Sequence, residues 1–315
     1  MAPKTENTKF RTSVGGQALI EGIMMRGPKK QAIVVRSKDG LIIKESKLKF
    51  IKDKYPILGW PIIRGVVNFL SSMINGVKAL TYSAECLPEE EQEEPDKLDI
   101  WLNKHFGSEK AEKLVIGIAV VLGILLSVTL FILLPTILAG FVSGLVKNRI
   151  LCNLIEGILR IIIFLCYMWL ATKLDDIKRV WMYHGAEHKT IFCYEKGLPL
   201  TVENCRVQSR CHPRCGTSFL FIVMIVSIIV FSVVSWSNVW VRMLLRIVLL
   251  PVVVGISYEI IKWAGRNDNV LTRIVSAPGK ALQRLTTAEP DDSMLEVAIE
   301  ALTRVIPENE NEAAW

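Results

Sequence analysis

Three of the chain's four histidines and four of its seven cysteines fall between Tyr183 and Phe219. His184 and His188 stand four residues apart, with Glu187 beside the second. On a helix this spacing puts both imidazoles on one face, where a single cation can reach them. Glu195 returns to nearly the same face if the helix continues. The order His-x-x-Glu-His is the inverted form of the zincin pattern. In such sites two histidines hold zinc and the glutamate takes a proton from bound water. Farther along, His212-Pro213-Arg214-Cys215 can place a nitrogen and a sulfur on one turn. Zinc held by His184 and His188 with His212 or Cys215 as a further ligand, and Glu187 as general base, is the sharp expectation. The plain alternative is a set of hydrogen-bonded histidines and free thiols, with Cys205 and Cys211 among them. Cys215 follows Arg214 and precedes a helix start, which could lower its thiol pKa. A ligand or packing role suits it better than a nucleophilic one. Four protein ligands would close the metal off, whereas an open position would suit catalysis.

The elements that must hold these residues are apolar. Of 315 residues, 51% are hydrophobic, and the mean hydropathy is +0.35. The apolar residues are clumped into four runs, Leu114 to Ala139, Ile150 to Ala171, Ser218 to about Ser235, and Met243 to Trp263. Each approaches the roughly 20 residues that a membrane span needs. Short links between them suit an antiparallel helical bundle. The expected fold is therefore mainly α, a polytopic four-span bundle over 114–263 with the site on a loop over 172–217. Lys173, Lys178, Arg179, Lys189, Lys196, Arg206, Arg210 and Arg214 crowd that loop, and Arg266, Arg273, Lys280 and Arg284 follow the fourth run. Only Lys147, Arg149 and Arg242 serve the other links. By the positive-inside rule the site loop and both termini are cytoplasmic, in a multi-pass plasma-membrane protein. Within the runs, Glu156, Arg160, Arg246 and Glu259 are costly to bury and should pair. The expected pairs are Glu156 with Arg246 and Glu259 with Arg160.

The remaining segments are more soluble in character. Residues 1–14 read as loosely attached, with no apolar stretch of a cleavable signal behind them. Gly15 to Pro28 is too rich in glycine for a helix and too apolar for a linker, so tight turns or close approach are expected. β-branched runs flank Ser37-Lys38-Asp39-Gly40 and predict a hairpin. A small β-rich module over 15–55 follows. In 56–113, an amphipathic helix over 59–84 precedes a glutamate-rich break from Pro88 to Pro95. The helix could lie in the membrane interface or against the bundle. Within 264–315, Ser293-Met294-Leu295-Glu296 predicts a capping box and a docking helix to about Ile306.

The charge of +7 and pI near 9.0 fit basic loops meeting anionic lipid. No aromatic-basic groove accompanies them, so nucleic acid is not an expected partner. Seven cysteines without regular spacing fit a reducing compartment. Cys152 and Cys166 read as buried hydrophobes inside a span.

Four stretches together resemble the YqhQ-type family of bacterial membrane proteins. They are Gly15-Gly16-Gln17-Ala18 through Glu21-Gly22-Ile23-Met24-Met25-Arg26; Tyr183-His184-Gly185-Ala186-Glu187-His188-Lys189; His212-Pro213-Arg214-Cys215-Gly216-Thr217-Ser218-Phe219; and Thr286 with Glu289-Pro290-Asp291-Asp292. The resemblance covers about Gly15 to Ile306. It implies a metal-dependent enzyme, with His184, Glu187, His188, His212 and Cys215 as the residues concerned. Cys205 and Cys211 match that pattern less firmly.

Three functions stand open on these grounds. A zinc-dependent hydrolase would work at the cytoplasmic face. A scaffold or regulator would bind other membrane proteins, such as a translocon or a quality-control protease, through a rigid loop. A transporter would need the charges within the spans to line a continuous path.

Overall fold

In the computed structural model, residues 10–49, 51–87, 108–143, 148–213, 215–233, 239–267, 269–307 and 312 are described. The acidic break at Pro88 to Pro95 lies outside them, as does the segment 1–9. The chain divides into two units, one of residues 1–87, 168–226 and 251–315, the other of 88–167 and 227–250.

The first unit is built on a four-stranded antiparallel meander, β1 (Gly15–Leu19), β2 (Gly22–Arg26), β3 (Lys30–Ser37) and β4 (Gly40–Lys47), in sequential order. Ser37 pairs with Gly40, so the Lys38-Asp39 turn closes the expected hairpin, with Gly40 at φ +127°. Successive side chains point to opposite faces, and here both faces are covered. Ile23, Met25, Ala32 and Val34 are buried in one cluster with Tyr183, Leu295, Ala298 and Leu302. Leu19, Met24, Ile33 and Val35 are buried in another with Ala79. The strands therefore read as near-continuous apolar runs rather than clean alternation. A short helix α1 (Ile51–Lys54) and a 3-10 turn (Pro56–Gly59) lead to α2 (Ile63–Glu85), which supplies Ala79.

The opposite face is covered by α6 (Asp175–Glu195) and α11 (Asp292–Thr303). The expected site loop is thus largely one 21-residue helix. Helix α11 packs as a docking helix, but its cap is Asp291, whose side chain accepts from the Met294 N–H. Ser293 stands one residue inside the helix and donates its hydroxyl to Asp291, which corrects the expected Ser293 capping box. Between α6 and α11 the chain adds α7 (Val202–Arg206), the first part of α8 (Gly216–Val233), the last part of α9 (Val239–Arg266) and α10 (Val270–Thr286). Arg64 of α2 pairs with Glu259 of α9.

The second unit holds α3 (Ser108–Val128), a π-turn (Thr129–Leu133), α4 (Leu134–Ser143), most of α5 (Arg149–Ala171) and the remaining parts of α8 and α9. Among the described residues, four helical stretches are long and apolar enough to cross a membrane: Leu114–Phe141, Leu151–Ala171, Gly216–Val233 and Met243–Arg266. Glu156 accepts from Arg246 and from Thr136, as well as from Arg160 one turn away on α5. The Glu156–Arg246 pair is as expected. The Glu259–Arg160 pair is not: Arg64 takes Glu259, and Arg160 lies four residues from Glu156 on the same helix face. Pro135 explains part of Arg160's anchoring. A proline displaces the carbonyl four residues earlier, here Phe131 inside the π-turn, and Arg160 Nε donates to that freed oxygen at 2.8 Å. Among the described residues the cysteines are free thiols, and Cys166 is exposed while Cys152 is half-buried. An outward-facing position on an apolar helix is compatible with a small hydrophobe, so the burial expected for both does not follow from their composition.

Candidate functional site

Helix α6 sets the site. Gly185 lets it press against the chain after α10, where an added Cβ would collide with the Ala288 carbonyl oxygen. Ala288 in turn donates its N–H to the Trp181 carbonyl at 2.9 Å. This packing brings the Thr286 carbonyl to His184 Nδ1 at 2.8 Å. The connection from α7 to α8 brings the Arg210 carbonyl to His188 Nδ1 at 2.5 Å. A carbonyl oxygen only accepts, so each Nδ1 must carry the proton. In the neutral ring that leaves each Nε2 with a free lone pair.

His184 Nε2 turns toward Cys215, the residue before α8; the protonated ring donates there, and only the deprotonated ring offers a lone pair. His184 Nε2 lies 3.1 Å from Cys215 Sγ. One ligand atom from each of His184, His188 and Cys215 lies within 4.8 Å of the others. His188 is 1% exposed, and its Nε2 is buried without a partner of hydrogen-bonding geometry. The charges are tightly linked. Burial alone would lower the His184 imidazole, but the adjacent Cys215 sulfur and Glu187 raise it to about 9. Burial alone would raise the Cys215 thiol, but His184 and His188 hold it well below its usual range. Burial pushes the Glu187 carboxyl up against the pull of His184 and His188.

A cavity of about 100 Å³ opens beside these groups, lined by Glu187, His188, His212, Cys215, Ile191 and the chain from Thr12 to Gly16. That is room enough for ordered water. Glu187 faces it and accepts the Gly16 N–H at 2.9 Å. The residue at 16 must be small, because a Cβ there would sit 3.0 Å from Glu187 Cδ and 2.7 Å from the Met24 carbonyl.

His212 shares the cavity wall but not the ligand cluster. Its Nε2 faces Glu195 Oε2 at 3.3 Å, and its ring stacks edge-on against Phe192. Glu195 also accepts the Thr12 N–H at 2.8 Å. Cys205 is buried in the core beside Cys193, and Cys211 is half-buried outside the cluster. Sequence reasoning missed the backbone partners, Thr286, Arg210 and Gly16. Main-chain carbonyls leave no residue-type signal; only the Gly15-Gly16 pair hinted at a close approach.

The chain matches, over residues 60–308, the family described as "Protein of unknown function (DUF1385)". It is 35% identical over 308 residues to "Uncharacterized protein YqhQ" of Bacillus subtilis (strain 168), covering 95% of this chain and 93% of that protein. No solved structure matches. The chain belongs to the DUF1385 family. Neither description states an activity or a metal, so the expectation of a metal-dependent enzyme draws no support from them.

Proposed function

We propose that this chain is a multi-pass membrane protein carrying a zinc site, and that the site is hydrolytic. The observation that carries the reading is the pair of Nδ1–H donations to backbone carbonyls. They fix both rings so that Nε2 faces Cys215, and one of those nitrogens is left buried and unsatisfied. Such an atom costs about 1–3 kcal/mol, which a cation would relieve. Backbone partners behind the ligating histidines are the usual second layer of a metal site. Two imidazoles and one thiolate suit zinc. Three protein ligands leave a position open, and the adjoining cavity supplies space for it.

When bound, zinc would polarise a carbonyl or lower the pKa of a water. The protein's own part is then assigned by position. Glu187, raised by burial and facing the cavity, accepts the proton. Gly16 holds its carboxylate in place, and the Thr12–Gly16 segment lines the cavity. His212 and Glu195 brace the far side. The basic residues around α6 and after α9 favour a cytoplasmic site in the plasma membrane, with both termini on that side.

Metal analysis of the purified full chain tests this reading. Stoichiometric zinc in the wild type, lost in His188→Ala and in Cys215→Ser, is the expected result. Protein that holds no metal and binds none on titration refutes it. A second reading is a non-enzymatic scaffold for other membrane proteins. Glu187→Gln separates the two: zinc retained with cellular function lost supports the enzyme, and full function supports the scaffold.

A further inference from the structure

Between the sheet and α2 the chain turns apolar side chains outward. Tyr55, Ile57 and Trp60 are 53%, 60% and 60% exposed. Ile62, a β-branched residue, is held at φ +69°, a conformation that costs energy and persists only when its surroundings impose it. Here the imposing surface is α9. The Ile62 N–H donates to Glu259 Oε1 at 3.3 Å, and a Cβ on Gly255 would meet the Ile62 carbonyl oxygen at 2.7 Å.

Those contacts fix how deep the elbow sits along α9. Glu259 and Gly255 lie seven and eleven residues before the helix end at Arg266, about 10 and 16 Å at 1.5 Å per residue. The apolar stretch Met243–Arg266 has 24 residues, about 36 Å, against a hydrocarbon core of about 30 Å. Ile62 therefore lies at or inside the hydrocarbon boundary if α9 spans. Trp and Tyr favour that boundary, and the exposed Lys49 and Lys54 just before them suit anionic headgroups.

We propose that residues 55–63 form a re-entrant wedge, inserted into the bilayer leaflet at the C-terminal end of α9 and covered there by lipid. The proposal rests on the spanning reading above.

Its test uses the full chain labelled with 5-fluorotryptophan, in nanodiscs of zwitterionic and anionic phospholipid. Trp60 and Trp169 are assigned by the resonances lost in Trp60→Phe and Trp169→Phe. Trp169 is 53% exposed near the end of the apolar stretch Leu151–Ala171, and serves as the reference. A lipid nitroxide placed near the headgroup should broaden both resonances several-fold, while an aqueous gadolinium chelate leaves Trp60 sharp. Broadening of Trp60 by the chelate overturns the wedge. Protection of Trp60 from both probes also overturns it, since protein, such as a second copy, would then cover the elbow. If Trp169 too escapes the lipid probe, the spanning reading fails and the wedge fails with it.

Discussion

Removing Glu156 should damage the second unit far more than removing its main partner, Arg246. Glu156 receives Arg246 through both terminal nitrogens, Arg160 at 3.3 Å and the Thr136 hydroxyl at 2.8 Å. All three charged groups are at most 6% exposed. The cluster holds two guanidinium groups and one carboxylate, a net charge of +1. Glu156→Leu would leave two buried cations with no counter-charge, and stranding a buried ion costs about 3–5 kcal/mol. Arg246→Met would leave a neutral pair, with Glu156 still bound to Arg160 and Thr136. Its expected cost is about 1–2 kcal/mol, near that of a charged hydrogen bond. The double variant returns the charge to +1, and Arg160 keeps the Phe131 carbonyl and Ser227. It should therefore fall short of the sum of the single effects by about 2 kcal/mol. Equilibrium unfolding in mixed micelles, followed by circular dichroism, measures all three. An Arg246→Met cost equal to or above that of Glu156→Leu would refute this charge count.

Gly16→Ala should destabilise the first unit by about 1–3 kcal/mol, because the new Cβ meets the Met24 carbonyl at 2.7 Å; Gly15→Ala, with open space around it, should be neutral in the same thermal melt. Leu295→Ala, at a fully buried position under the sheet, should cost about 2–5 kcal/mol and speed hydrogen exchange in β2 and β3. Asp291→Ala should cost about 1 kcal/mol by removing the cap of α11. Burial would raise the Asp291 carboxyl, but Ser293 and the Met294 N–H outweigh it and hold it low. Its stabilisation is then present above the unfolded value, about 3.9, and lost as pH falls through the folded one. Melting in acid should accordingly depend less on pH in Asp291→Asn than in the wild type.

Much of the architecture was legible because its signals are local. Four apolar runs, the turn between Ser37 and Gly40 and the helical spacing before Glu85 need only the composition of short windows. The ends of those runs agree with the apolar helices to within a few residues. Pairing was harder. Glu259 offered a plausible acid for Arg160, but the sequence cannot say that Arg64, far earlier in the chain, reaches it first. The capping box at Ser293 failed for a smaller reason: Asp291, two residues earlier, supplies the cap.

For the site, the sequence by itself determined that His184 and His188 would share a face if their stretch were helical, since four-residue spacing fixes a common face; that the expected loop is a helix was decided by the structure. The sequence also determined that a histidine and a cysteine follow within thirty residues. Only the tertiary structure decided between them. The packing around α6 sets Cys215 against His184 and gives His212 to Glu195. The proton positions were also beyond the sequence, because main-chain carbonyls at Thr286 and Arg210 fix them, and every residue has a carbonyl. Which side chains meet depends on contacts between residues far apart in the chain, and helical periodicity carries no information about those.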